Sequence, residues 1–348
     1  MKMSKFIKST LILLVGGFLT KVLGMLIKII TTRIIGTETL GLYMLIMPTF
    51  NLFITLAQGG LPISVSKIVS ENKKDNKKIV FSSIFISICT TFFLMILLIF
   101  ISPLIAKFLH NDSLSFPIMC IGLTLPFISL SGIIRGYFFG KENMFPHVLS
   151  NNFEQVVRII LNIIFLPLLS NYEPRVSVTF LILSNVISET TSIIILYFFL
   201  PRKIKVTKEM LKPEKIIIKD VLNISIPTTG SRIIGTIGYF LEPIVLTSFL
   251  LMNGYTTNYI TYEYGVLTGY VMPLLLLPSF FTMAISQATL PVISNGYANN
   301  KIPYVKKKIK QSLLLSFVIG LFFTIILMIF PEIFMKLIYN TNEGVSYI

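Results

Sequence analysis

Two lysines and two glycines lie along one face of the first apolar segment of the sequence. Gly17, Lys21, Gly24 and Lys28 follow one another at spacings of four, three and four residues, which is the period of an α-helix. Ionisable side chains inside a membrane segment are costly and generally face a bundle interior or a water-filled path. The spacing therefore predicts a cationic face that can bind an anion. Lys28 could instead extend to the membrane surface, and both interpretations stay open.

A second apolar segment repeats this pattern. The residues "SRIIG" at 231–235 and "TKVLG" at 20–24 share the order hydroxyl, cation, two aliphatics and glycine. Arg232 thus corresponds to Lys21, and we expect the two cations to face each other across a cavity. Glu242 lies further along the same helical face as Arg232. The residues predicted to bind substrate are Lys21, Arg232, Lys28, Glu242 and Arg158.

A third polar group is carried by "NNFEQVVRIILNI" at 151–163. Glu154 and Arg158 are spaced i and i+4, so they can pair and lower each other's cost of insertion into a membrane. The pair could lock this helix to its neighbours or contact the substrate, and both alternatives stay open. If the role is packing, replacing either residue should lower abundance, and exchanging the two should restore much of it.

Motifs for enzymatic chemistry are not found. The sequence has no Walker A motif, HExxH or GxSxG, and its two histidines, His110 and His147, cannot form a recognisable metal cluster. The two cysteines, Cys89 and Cys120, make no CxxC motif. We therefore predict no enzymatic activity, cofactor or metal. Energy for any transport should come from an H⁺ or Na⁺ gradient, the membrane potential or the substrate's own gradient.

The composition indicates which elements hold these residues. Of the 348 residues, 54% are hydrophobic and 13% are charged, against roughly 25% charged in an ordinary soluble domain. Apolar stretches of about 20 residues, long enough as helices to cross a bilayer, recur along the chain. We predict nine membrane helices, near 9–30, 40–66, 79–101, 114–139, 149–169, 176–200, 221–250, 262–290 and 309–330, with a tenth beginning at 339–348.

The positions of the charges predict the orientation. A net charge of +15 would suggest nucleic acid as the partner of a soluble protein. Here, however, the basic runs "KKDNKK" at 73–78, "RKIKVTKEMLKPEKIIIK" at 202–219 and "KIPYVKKKIK" at 301–310 all follow even-numbered helices. This asymmetry is typical of a multi-pass protein of the cytoplasmic membrane whose N-terminus is cytoplasmic. We expect membrane lipids, and no nucleic acid, among its partners.

An internal repeat predicts the architecture. Beyond the pair described above, "AQGGLP" at 57–62 is similar to "SQATLP" at 286–291, and "KKIVFSSIF" at 77–85 to "KKIKQSLLL" at 307–315. The order predicts an all-α polytopic membrane protein with two six-helix lobes in parallel pseudo-two-fold repeat. The residues predicted to act in packing or gating are Glu154, Gly24, Gly235, Gln58, Pro62, Gln287 and Pro291.

The repeat also divides the chain. Residues 1–200 form an N-terminal lobe of helices 1–6, 201–220 a basic cytoplasmic linker, and 221–348 an incomplete C-terminal lobe of helices 7–9 and the start of helix 10. The second lobe is thus expected to be truncated. A chain without its remaining helices is expected not to complete a transport cycle alone.

Several motifs resemble one family. The first helix, "GLY" at 41–43, "GLPISVSK" at 60–67 and "EQVVR" at 154–158 are similar to the stage V sporulation protein B family of polysaccharide biosynthesis proteins, in the multidrug/oligosaccharidyl-lipid/polysaccharide (MOP) superfamily. The resemblance implies a MATE-like bundle that rocks between inward-open and outward-open states. It also implies a flippase for undecaprenyl-pyrophosphate-linked sugar precursors, such as lipid II or a lipid-linked oligosaccharide, for spore cortex peptidoglycan.

Two other functions remain as alternatives. A drug:cation antiporter of the same superfamily often has an acid in its first helix, whereas this helix has Lys21 and Lys28 and no acid. A membrane assembly protein without transport activity is the other alternative. The charge of the first helix favours the flippase of an anionic lipid.

Overall fold

The computed structural model describes residues 5–201 and 214–348. Its α-helices are α1 (Lys5–Gln58), α2 (Leu61–Ser70), α3 (Asn76–Phe108), α4 (Ser115–Gly140), α5 (Phe145–Leu169), α6 (Pro174–Phe199), α7 (Lys215–Met252), α8 (Thr257–Gly265), α9 (Met272–Leu275), α10 (Leu277–Ala298), α11 (Ile302–Ile329) and α12 (Pro331–Tyr339). Every longer regular element in these ranges is helical, as predicted. Eight candidate membrane spans result, the first of which, Val15–Ser70, contains two of the predicted helices.

The first two predicted helices are joined more tightly than expected. α1 runs through the predicted loop and is interrupted only at Gly36, whose φ of 70° and ψ of 168° are non-helical. Glycine adopts positive φ without the steric cost that a Cβ would add. One residue is thus enough to separate the segment that carries Lys21 and Lys28 from the segment that leads to Gln58.

The two copies of the Gln-x-x-Leu-Pro pattern fold differently. In the first copy, Gly59 and Gly60 adopt φ values of 50° and 64°, and α2 then begins with Pro62 in its first turn. In the second copy α10 continues without a break from Leu277 to Ala298. Alanine and threonine take the place of the two glycines there, and neither readily adopts positive φ. The repeat is therefore preserved in sequence but not in local conformation.

The predicted helix at 262–290 is broken rather than continuous. α8 passes into a π-helical segment, Val266–Val271, before the short α9 and then α10. Pro273 and Pro278 follow closely, and proline has no N–H for the bond to the residue four positions before it. At the end of the chain, Val345–Tyr347 forms a single 3₁₀ turn, where the start of a tenth membrane helix was expected.

Helices α1 to α6 pack into one body, and a stripe of small residues allows the closest approach. Gly132, Gly136 and Gly140 lie on one face of α4 against α2. A Cβ at Gly136 would be 2.5 Å from the carbonyl oxygen of Pro62, and one at Gly140 would be 2.6 Å from that of Ser66. Small residues spaced by four allow helix backbones to pack closely within membranes.

Helices α7 and α8 contact this body at its two ends. At one end, which we call the basic end, Lys74 pairs with Asp220 in α7, and Lys78 pairs with Glu214, the residue just before α7. A Cβ at Gly60, on the same side, would be 2.9 Å from the Ser225 carbonyl oxygen. The first body and α7 are thus held together by charge and by close backbone packing.

The opposite end, which we call the Gly36 end, has a second contact. Gly41 lies so close to α8 that a Cβ would clash with the Thr261 carbonyl, and a Cβ at Gly265 would be 2.6 Å from Gly41 Cα. Across the same contact, Arg33 Nε donates to the main-chain oxygen of Ile338, in α12, at 2.7 Å. The described structure is therefore closed at this end.

The domain boundaries stay a prediction. Most of the expected linker, residues 202–213, lies outside the described residues. α6 ends at Phe199 and α7 begins at Lys215, so the predicted boundary falls between two long helices.

Candidate functional site

A polar cavity lies between the first body and the helices that follow it. Its volume is about 310 Å³, and we call it the Lys28 cavity. α1, α5 and α6 supply most of its lining, whereas Tyr239 of α7 and Thr268 of the π-helical segment close it from the other side. Three of the residues singled out in the sequence meet here, namely Gly24, Lys28 and Arg158.

Lys28 is the cation of this cavity that lacks an acidic partner. It is half-buried, and its Nζ donates to the main-chain oxygen of Thr268 at 3.3 Å. Among the described residues no carboxylate pairs with it. The predicted alternative, in which Lys28 extends to the membrane surface, does not describe this conformation. The ammonium group is instead available to an anion that enters the cavity.

Arg158 belongs to a buried ion cluster formed by α4, α5 and α6. Glu154 Oε1 accepts from Arg158 Nη2 at 2.8 Å, so the predicted i, i+4 pair is present. Glu154 Oε2 also accepts from Arg135 Nη2 at 2.7 Å, and the same nitrogen is 3.6 Å from Glu189 Oε2. Two arginines and two glutamates thus balance each other.

Arg135 is a residue that the sequence alone did not identify as part of this site. Its position near the end of a predicted helix is typical of an interfacial anchor, yet its side chain is only 16% exposed. The contact to Glu154 joins α4 to α5, and the hydrogen bond to Ser192 Oγ at 2.7 Å joins α4 to α6. Such a partner depends on tertiary packing and has no local sequence signal.

A second cavity lies next to the Lys21 side chain. It has a volume of about 220 Å³ and is lined by residues that include Thr20, His147 and Asn151 from α1 and α5, and Phe280 and Met283 from α10. We call it the Lys21 cavity. Lys21 is exposed and has no hydrogen-bond or ion-pair partner among the described residues. It is therefore the second cation of α1 that lines a cavity.

The second-lobe candidates lie apart from both cavities. Arg232 and Glu242 are exposed on α7, and neither has an ion-pair partner among the described residues. Neither lines the Lys21 cavity or the Lys28 cavity. The pairing of Lys21 with Arg232 across one cavity therefore stays a prediction.

The predicted packing and gating residues divide into three groups. A Cβ at Gly24 or Gly235 would meet no atom within 4 Å, so neither glycine is a site of close helix approach in this conformation. Gln58 and Pro62 do lie at a close contact, opposite Gly132 of α4. The side chains of Gln287 and Pro291 lie outside the described ones.

Metal binding has no support in the described part of the chain. No group of three or more histidine, cysteine, aspartate or glutamate side chains within it could hold a metal ion. What the two cavities offer is cationic and neutral polar groups, which suit an anion that also carries hydroxyl or amide groups.

Comparison with known proteins identifies the family. The family model described as "Polysaccharide biosynthesis protein" covers residues 6–296. The chain is 35% identical to stage V sporulation protein B of Bacillus subtilis (strain 168), over 99% of this chain and 68% of that protein. It is 22% identical to the lipid II flippase MurJ of the same organism, over 89% of this chain and 61% of that protein.

Solved structures show the same fold. An inward-facing multidrug resistance MATE family transporter of the MOP superfamily superposes with a TM-score of 0.71 at 16% identity, covering 93% of this chain and 73% of that one. A MOP superfamily transporter from Pyrococcus furiosus, described as having a binding pocket of reverse polarity, gives a TM-score of 0.65 at 20% identity, with coverages of 97% and 75%. The chain therefore belongs to the polysaccharide biosynthesis protein family, as a multi-pass membrane protein that shares the fold of MOP superfamily transporters.

Proposed function

We propose that the protein is a flippase for lipids that carry a saccharide on a pyrophosphate, such as an undecaprenyl-pyrophosphate-linked sugar precursor. The observation that carries this proposal is the pair Lys21 and Lys28. Each lines a cavity, both lie on one side of α1, and neither has a carboxylate partner among the described residues. A pyrophosphate crossing an apolar slab loses its hydration, and such ammonium groups can replace it.

The spacing of the two lysines suits a path rather than a single site. Seven residues of α-helix correspond to a rise of about 10 Å, so the two ammonium groups mark successive depths along α1. An anion can thus move from one cation to the next without becoming unpaired in low dielectric. The contacts at the basic end and at the Gly36 end are the ones that alternating access would open and close.

The relatives support the class of substrate and the setting. One is named a lipid II flippase and another a stage V sporulation protein, so we infer a peptidoglycan precursor of the spore cortex as the cargo. The basic segments that follow even-numbered helices support a cytoplasmic membrane location with the N-terminus in the cytoplasm. H⁺ or Na⁺ remains the proposed coupling ion, with Lys21, Lys28, Arg158, Arg232 and Glu242 as the proposed substrate-binding residues.

Binding measurements with the purified protein test this function. Each charge-assisted hydrogen bond contributes roughly 1.5–3 kcal/mol, so Lys21→Ala and Lys28→Ala should each weaken binding of undecaprenyl pyrophosphate by about ten- to a hundredfold. Lys107→Ala, which removes an exposed lysine at the end of α3, serves as the matched control and should bind normally.

Two results would contradict the proposal. Unchanged binding and translocation in a Lys21→Ala, Lys28→Ala double variant would show that these cations do not hold the head group. Saturable binding of tetraphenylphosphonium, together with no binding of the pyrophosphate lipid, would favour the drug:cation antiporter instead.

A further inference from the structure

We propose that the Lys28 cavity contains a saccharide subsite, formed by Asn51, Asn162 and Asn185, which binds the sugar directly attached to the pyrophosphate. This inference rests on the proposed function and assigns it a second recognition element besides charge. Lys28 would hold the phosphate, and the three carboxamides would hold hydroxyl and amide groups of the first sugar.

The three asparagines reach the same cavity from three different helices. Asn51 lies in the second part of α1, Asn162 in α5 and Asn185 in α6, and each lines the cavity. Asn51 is exposed, whereas Asn162 and Asn185 are 1% and 7% exposed. Buried carboxamides are costly unless they are hydrogen-bonded, so their convergence on one cavity indicates a function beyond packing.

The NH₂ group of Asn185 is fixed by two hydrogen bonds, and the side-chain oxygen remains as an acceptor. Its Nδ2 donates to the main-chain oxygens of Leu181 and Ile182, at 3.0 and 2.9 Å. Both hydrogens of the amide are thus used within α6, which fixes the plane of the carboxamide. The remaining oxygen can accept from a ligand but needs no rearrangement of the side chain to do so.

Asn162 supplies a second acceptor. Its Nδ2 donates to Thr31 Oγ1 at 2.9 Å, while its Oδ1 is buried and has no partner. An unpaired buried acceptor costs about 1–3 kcal/mol, which a ligand that donates a hydrogen bond would offset. Asn162 lines the cavity, and the χ2 torsion that orients its amide is broad and soft, so this oxygen can adjust to a ligand.

The acceptor oxygens of Asn162 and Asn185 can bind the sugar but not the phosphate. An ionised phosphate carries only acceptor oxygens and would be repelled by a carboxamide oxygen, whereas a hydroxyl or an N-acetyl group can donate to it. The cavity thus has donors for an anion at Lys28 and acceptors for hydroxyl or amide groups at Asn162 and Asn185. Only a ligand with both kinds of group uses all of them.

The size of the cavity limits how much of the head group enters. About 310 Å³ is at the lower end of the roughly 300–1,000 Å³ of small-molecule sites. That volume suits one sugar ring beside a phosphate and not a longer oligosaccharide. The subsite would therefore recognise the sugar next to the lipid and leave the rest of the glycan outside it.

Two lipids that differ only in the sugar test the subsite. We would measure binding of undecaprenyl pyrophosphate and of undecaprenyl-pyrophosphoryl-N-acetylglucosamine to the whole protein in nanodiscs. The wild type should bind the sugar-bearing lipid at least ten times more tightly. Asn162→Leu and Asn185→Leu should abolish this preference while leaving binding of the sugar-free lipid unchanged. Lys28→Ala should weaken binding of both lipids by the same factor.

The control is Asn223→Leu, which replaces an exposed asparagine of α7 outside the cavity and should keep the preference. If a buried variant fails to accumulate, Asn51→Leu provides the same test at an exposed position. Equal binding of the two lipids by the wild type, or an equal loss for both in Asn162→Leu, would overturn the subsite and leave the flippase in place. Failure of the wild type to bind either lipid would instead refute the proposed function.

Discussion

Glu154 is the residue on which the ion cluster of α4, α5 and α6 depends. Its two oxygens accept from Arg158 and from Arg135 at 2.8 and 2.7 Å, whereas the ion pair of Glu189 with Arg135 is longer, at 3.6 Å. The sequence was sufficient to predict the pair within α5, because residues spaced by four meet on one helix. It could not predict Arg135, because that contact exists only once α4 packs against α5.

Removing Glu154 should therefore cost more than removing Glu189. Glu154→Gln leaves Arg158 without an acidic partner and Arg135 with only its 3.6 Å contact to Glu189, and removing one partner of a buried ion pair costs about 3–5 kcal/mol. We expect this variant to show lower abundance in membranes and a lower unfolding temperature in detergent than Glu189→Gln. Normal abundance together with lost export in Glu154→Gln would contradict a packing role and assign the cluster to transport.

The structure also changes the expected result of exchanging Glu154 and Arg158. An arginine at position 154 would lie beside Arg135, since that side chain now contacts Glu154 at 2.7 Å. Two adjacent guanidinium groups repel each other in a low dielectric. We therefore expect the exchange to leave abundance low, as judged by immunoblotting of membrane fractions, and recovery to near wild-type abundance would contradict this placement of Arg135.

At the scale of elements, the glycines of α4 allow close packing against α2, whereas the glycines that the repeat indicated lie at no close helix contact. The run "GIIRGYFFG" at 132–140 carries the small-xxx-small spacing, although no prediction was drawn from it. Gly24 and Gly235 stood out because of the repeat, yet each has open space around it. Hydropathy likewise located the helices, whereas the break at Gly36 and the π-helical segment depend on single residues and local strain.

Two alanine substitutions compare these settings directly. In Gly136→Ala the new methyl group would meet the Pro62 carbonyl oxygen at 2.5 Å, so α2 must shift and the variant should unfold at a lower temperature. Gly235→Ala is the matched control, because nothing lies within 4 Å and alanine is the better helix former. Thermal unfolding in detergent checks both. Equal stability of the two variants would show that α4 and α2 are not in close contact.

At the scale of the whole molecule, the closed Gly36 end should be sensitive to the size of one residue. A methyl group at Gly41 would clash with the Thr261 carbonyl of α8, so Gly41→Ala should separate the two bodies at that end. We would attach a maleimide to the cysteine of Thr39→Cys, a buried position close to Gly36, in a background with Cys89→Ser and Cys120→Ser. The rate of labelling should rise several-fold in Gly41→Ala.

Gly320→Ala, on a part of α11 with no atom within 4 Å of the added methyl, is the control and should leave labelling unchanged. An unaltered rate in Gly41→Ala would mean that this end is already open in the membrane. The repeat in the sequence predicts two-lobed packing, but which end closes depends on contacts between distant segments. No local pattern encodes those contacts.

The hydrogen bond from Lys28 to the main chain of Thr268 affects how the sequences of homologues can vary at these positions. Its acceptor is a main-chain oxygen, which every amino acid provides, so the second body keeps this contact whatever side chain occupies position 268. A lysine paired with a glutamate leaves a trace in related sequences, because a change in one favours a change in the other. Lys28 would leave no such trace: covariation across homologues should return no partner for it, although it bridges the two halves of the molecule.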